Sequence, residues 1–131
     1  MKNKFKFSLL IFGFILLFSA CTKEGDNVLT DDRDQYIGTW NCKEKDPANA
    51  QTAFNITISK TGTADSLSVS NFNNIGSIYK AVFIVSSTSI AIPTQNISGF
   101  QITNGSGFLN GNKISLSYSV DNEAYTAECT R

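Results

Sequence analysis

Three cysteines and the complete lack of histidine limit the chemistry open to this chain of 131 residues. Without an imidazole, Ser–His and Cys–His nucleophile pairs cannot be assembled. Cys42 and Cys129 without further ligands make an incomplete metal site, so neither a metal nor another cofactor is expected. Glycoside hydrolysis would need two carboxylates opposed across a cleft. The acids of the main segment are Glu44, Asp46, Asp65, Asp121, Glu123 and Glu128. Glu44 and Asp46 fall at the end of the first expected strand, and Asp121 and Glu123 flank the last hairpin turn. Those are solvated positions for charge. Gly105-Ser106-Gly107 lacks the lysine and helix of a phosphate loop. No catalytic residues are assigned, and the chain is read as not an enzyme.

Cys21 has a different setting. Lys2, Lys4 and Lys6 lead into an apolar run from Phe7 to Phe18, and Ser19 and Ala20 then precede Cys21. An apolar run of about twelve residues is too short to span a bilayer, where about twenty are needed, and suits a signal h-region. Small residues ahead of a cysteine resemble the bacterial lipoprotein signal, with Phe18 where that pattern usually has Leu. The resemblance implies a signal peptide over residues 1–20 and diacylglycerol on the Cys21 thiol. The protein would then be lipid-anchored in the bacterial cell envelope, at the outer membrane, on its periplasmic face or at the cell surface. Ordinary secretion with cleavage after Ala20 is the alternative.

Over the whole chain 11 basic residues balance 11 acidic ones. Loss of Lys2, Lys4 and Lys6 leaves an acidic remainder, without the basic field that attracts nucleic acid. Residues 21–35 are polar and charged, with Val28 and Leu29 their only aliphatics, and read as the lipidated cysteine plus a flexible tether. Lys23, Glu24 and Asp26 resemble the short acidic signals that send Bacteroidetes lipoproteins to the cell surface, although Gly25 interrupts the acidic pair. A linker without sorting information fits as well.

The elements that must position all these groups are strands. Phe54, Ile56 and Ile58 alternate with Asn55, Thr57 and Ser59, and Ile114, Leu116, Tyr118 and Val120 alternate with Lys113, Ser115, Ser117 and Ser119. Period two with polar partners marks strands with one buried and one wet face. Leu67 with Val69, the run Ile78 to Val85, Ile90 with Ile92, and Phe100 with Ile102 add further segments. Thr61-Gly62, Asn73-Asn74, Asn104-Gly105, Asn110-Gly111 and Asp121-Asn122 supply turn chemistry between them. The expectation is one all-β domain over residues 36–131, an antiparallel barrel or sandwich of about eight strands. Parity puts Trp40 and Cys42 on one face of the first strand and Tyr125, Ala127 and Cys129 on one face of the last. An exported protein with two core cysteines pairs them when those strands are neighbours; a reactive thiol or a metal pair is the rival reading.

Tyr36-Ile37-Gly38-Thr39-Trp40 resembles the Gly-x-Trp signature that opens the first strand of lipocalins and related calycins. The layout from Tyr36 to Arg131 is similar to that of small lipocalin-like lipoproteins of Bacteroidetes. The resemblance implies an antiparallel barrel in which the tryptophan plugs one end. It also implies a late arginine packed on that tryptophan, for which Arg131 is the candidate. Strands are shorter here than in lipocalins of ordinary size, and an eight-stranded barrel can be filled by its own side chains.

The function expected on these grounds is a non-enzymatic, lipid-anchored binding module, tied to a membrane and not to nucleic acid. A small apolar ligand would be lined by Trp40, Phe54, Ile56, Leu116, Tyr118 and Tyr125. The alternative is a protein-interaction module, such as an inhibitor of a cell-wall-degrading enzyme or an accessory subunit of an outer-membrane complex. Asn55-Ile56-Thr57, Asn96-Ile97-Ser98 and Asn104-Gly105-Ser106 match the Asn-glycosylation pattern, which in an Asn- and Ser-rich chain reads as coincidence. Asp65-Ser66-Leu67 resembles a Bacteroidetes O-glycosylation site and reads more simply as a strand start.

Overall fold

The period-two segments become strands in a computed structural model that describes residues 30–131. The signal peptide expected over 1–20, the lipidation site Cys21 and the first part of the tether lie outside the described residues. The strands are β1 (Gly38–Lys45), β2 (Gln51–Lys60), β3 (Ser66–Ser70), β4 (Lys80–Ser86), β5 (Ser89–Ile92), β6 (Gln95–Ile97), β7 (Phe100–Asn110), β8 (Lys113–Val120) and β9 (Glu123–Thr130). Neighbours in sequence pair antiparallel from β1 to β5, β5 then pairs with β7, and β9 returns to β1. The result is a closed eight-stranded barrel, with β6 as an extra strand laid on the start of β7. Barrel and sandwich, left open by the period, are thereby resolved in favour of the barrel.

Closure runs through the cysteines. In the β1–β9 register Cys42 lies directly opposite Cys129, and the two are joined as a disulfide. Trp40, Ile56, Ile58, Leu67, Val69, Phe83, Ile102, Ile114 and Tyr118 fill the interior, each almost wholly buried. This is the inward parity of every strand, so the alternation seen in the sequence is the alternation of core and solvent faces.

One turn expectation fails. Asn104-Gly105 lies within β7, where the β7–β8 register slips between Thr103 and Ser106. Asn104 takes the left-handed conformation (φ 53°) that such a bulge demands. Gly105 is needed for a separate reason: a Cβ there would collide with the Cβ of Ile92 on β5. The bulge and the missing side chain together let β5 and β7 approach and shut the barrel.

The end where the chain enters is tightly sealed. Asp31–Gln35, read from the sequence as the end of a tether, belong to the folded unit, with a 3-10 turn over Asp32–Tyr36. Arg33 donates to Asp31 and, from Nη1, to the carbonyls of Thr61 (3.1 Å) and Thr63 (3.0 Å). Tyr36 is buried and its hydroxyl donates to Ser87 O at 2.9 Å. Trp40 Nε1 donates to Tyr36 O at 2.8 Å, and the Arg131 guanidinium lies 4.3 Å over the indole. Arg131 also donates to the carbonyls of Ile37 and Gln35, both at 2.8 Å. Tryptophan, arginine and the 3-10 turn thus form one plug.

A seam interrupts the wall elsewhere. β5 pairs with β4 only over Ile84–Ser86, leaving the first half of β4 without it. There the Gln95 side chain takes the place of a strand: its Oε1 accepts from Val82 N (2.7 Å) and its Nε2 donates to Val82 O (2.9 Å).

Candidate functional site

The opposite end of the barrel holds the residues with unusual environments. Glu44 is the next inward position after Trp40 and Cys42 on β1, and it is only 6% exposed. The solvated setting expected for it is therefore wrong: strand parity continues through the residue and carries its carboxylate inside. Asp46, two residues on, is a loop acid as expected, its Oδ1 accepting from the backbone N–H of Ala48 (2.9 Å) and Ala50 (2.8 Å).

The loop between β3 and β4 covers this end. It contains a short 3-10 turn, Phe72–Asn74, with left-handed Asn71, Asn73 and Asn74. Asparagine tolerates that conformation better than other side chains, which explains the Asn-rich sequence. Asn71 pins the loop, donating from Nδ2 to Asn55 O (2.8 Å) and accepting at Oδ1 from Gly76 N (2.9 Å). The loop drives Phe72 into the barrel mouth. Its ring meets Phe83 edge-on at 5.1 Å and Tyr118 at 4.6 Å, and Tyr118 in turn stacks with Tyr125 at 6.0 Å.

Beneath this aromatic cap the Tyr118 hydroxyl donates to Glu44 Oε2. With its amide nitrogen turned to the carboxylate, Asn73 donates to Glu44 Oε2 at 2.8 Å and Oε1 at 3.1 Å. Burial raises the Glu44 pKa above its usual value, with added repulsion from Asp46, while the Tyr118 hydrogen bond opposes the rise. The Tyr118 hydroxyl is likewise pushed up, by its own burial first and then by the adjacent carboxylate. Among the described residues Glu44 makes no salt bridge, so its two neutral donors carry the compensation. Chemically the cluster can store a proton or accept a hydrogen bond from a guest. Among the described residues no three acids or cysteines converge in a way that would hold a metal.

The six residues expected to line a ligand space are spread along the barrel. Trp40 and Ile56 sit opposite each other at the sealed end, and Phe54 faces Cys42 halfway along. Leu116 pairs with Ala127 in the middle, and Tyr118 with Tyr125 at the covered mouth. Only the last pair adjoins Glu44 and the Phe72 cap. Sequence reasoning passed over Glu44, Phe72 and Asn73 as a group; the parity of β1 was the signal for the first, and nothing local marks the other two as its partners. Comparison with protein-family models, curated proteins and solved structures finds no match for this chain.

Proposed function

We propose that this protein is a non-enzymatic binding module of the bacterial cell envelope, anchored by lipid at Cys21, with a lipocalin-like barrel that takes a small apolar ligand at its loop-covered mouth. The observation carrying the reading is Phe72, an aromatic side chain delivered by a loop, rather than by a strand, into a slot between Phe83 and Tyr118. A guest of similar size would replace it by displacing the loop, and Glu44 would offer that guest one polar anchor. Ligand sites of this composition, apolar with few placed polar groups, are the common kind. The lipid anchor rests on the sequence pattern around Cys21, and the lipocalin likeness on the Trp40–Arg131 plug and the closed antiparallel barrel.

The test is native mass spectrometry of the protein isolated from its own membrane, joined to titration with the fluorescent apolar probe N-phenyl-1-naphthylamine. The expected result is an extra mass released on unfolding, and probe uptake that increases in Phe72→Ala. A bare polypeptide mass together with no probe uptake by either form would overturn the ligand reading. The second reading, a protein-interaction module, is favoured by the exposed apolar Ile78 and Tyr79 at the end of the same loop and Val82 on β4 after it, with Ile78 78% exposed.

A further inference from the structure

The outer wall of the barrel carries a second feature, separate from the mouth. Two cross-strand rows of outward side chains run over β7, β8, β9, β1 and β2. One reads Phe108–Ser115–Glu128–Lys43–Ala53 and the other Ser106–Ser117–Thr126–Lys45–Gln51. Ser115 in the first row and Ser106, Ser117 and Thr126 in the second supply short hydroxyl side chains; Phe108 stands at one end, Lys43 and Lys45 lie toward the other, and Glu128 stands in the middle of the first row. A trough follows. The part bordered by Lys43, Lys45, Gln51, Thr126 and Glu128 encloses about 500 Å³. A separate recess of about 160 Å³ lies against Phe108, and Ser115 borders both spaces. From Phe108 on β7 to Lys43 on β1 the row crosses three inter-strand steps, roughly 14 Å along the sheet.

Its chemistry is specific. Phe108 is 53% exposed on a wall that is otherwise mostly polar, an uncommon place for a ring in a folded domain. Glu128 is held by Lys113 at 3.2 Å, whereas among the described residues Lys43 and Lys45 have no acidic partner. A chain that turns acidic once its leading lysines are lost therefore presents local positive charge here. Every strand under the trough is paired on both sides, so no free backbone edge is offered to an added peptide strand. Two unpaired lysines are too few for a nucleic acid backbone.

We infer that this trough is a binding site for an acidic oligosaccharide. The phenyl ring of Phe108 stacks against the C–H face of one sugar, the serine and threonine hydroxyls meet sugar hydroxyls, and Lys43 and Lys45 hold carboxylate or sulfate groups. A monosaccharide is too short to reach from Phe108 to the lysines; an oligomer spans both. The site does not involve Phe72 or Glu44 and stands or falls independently of the ligand proposed for the barrel mouth.

Isothermal titration of the full chain in detergent tests it, with three probes: an α-1,4-linked galacturonate hexamer, a heparin hexasaccharide and a hexaglutamate peptide. The expected result is binding of at least one acidic glycan, weakened about tenfold or more when Lys43→Ser and Lys45→Ser are combined. Phe108→Ser is expected to weaken the same glycan by about tenfold while changing the melting temperature little, because the ring faces outward and is 53% exposed. Binding of neither glycan overturns the inference, as does binding indifferent to these substitutions. Equal or tighter binding of hexaglutamate also overturns it, making the trough a site for acidic peptide.

Discussion

Removing the Cys42–Cys129 bond tests how the barrel is held closed. The two residues are separated by 87 positions in sequence, so the bond restricts nearly the whole domain in its unfolded state. The chain-entropy relation gives about 4.6 kcal/mol for a loop of that length. At roughly 2.1 cal/mol/K per residue over roughly 100 ordered residues, unfolding entropy is about 0.2 kcal/mol/K, and the loss corresponds to a fall in Tm of about 20 °C. Circular dichroism melts of the oxidised protein, the reduced protein and Cys42→Ala with Cys129→Ala check this. The reduced protein is the cleaner comparison, since it keeps both sulfur atoms in the core. A drop of less than about 5 °C in both would refute the reasoning, because it would mean that the unfolded chain already keeps β1 near β9 or that the bond strains the fold. A loss near the full figure approaches the entire stability typical of a small domain, so the fold would depend on an oxidising compartment.

Three further outcomes are expected. Glu44 has a folded pKa above its unfolded value, so its stabilising contribution is complete below the unfolded value and is lost as pH rises through the folded one. Glu44→Gln should therefore flatten the fall in stability with rising pH, exceeding the parent near pH 8 and matching it near pH 3.5 in urea titrations; an unchanged pH slope would show that another group causes it. Gly105→Ala, which would place a Cβ against Ile92, should cost about 1–3 kcal/mol in the same assay. Arg131→Ala should cost about 1–2 kcal/mol through loss of its stacking on Trp40 and its two carbonyl contacts, and should shift the tryptophan emission; an unshifted spectrum would count against the stacked geometry.

Strand identity was readable because a barrel wall has one wet and one dry face, and side chains such as Phe54–Ser59 and Lys113–Val120 report that difference at every step. The cysteine pair was readable for the same reason, since parity puts both side chains on inward faces. Asn104-Gly105 was misread because the same dipeptide serves a hairpin turn and a bulge, and only the position of β5 distinguishes them. Glu44 was misread because its charge outweighed its parity. The carboxylate is tolerated inside only through Tyr118 and Asn73, which lie 74 and 29 positions away in the numbering of this chain. No local pattern encodes such distant donors. The inward faces of the strands were therefore legible, but the Glu44–Tyr118–Asn73 cluster under the Phe72 loop was not.

Gln95 gives the barrel a property that its ladders do not. Elsewhere, parting two strands breaks a row of backbone hydrogen bonds, whereas beside Val82 the wall is completed by a single primary amide. Rotation about the Gln95 side chain uncovers a stretch of β4 without unzipping anything. The uncovered stretch is a template for an intruding segment, from another copy or another protein, in the manner of a zip fastener started from a missing tooth. Gln95 thus covers backbone groups of β4 that an open edge would leave free for pairing.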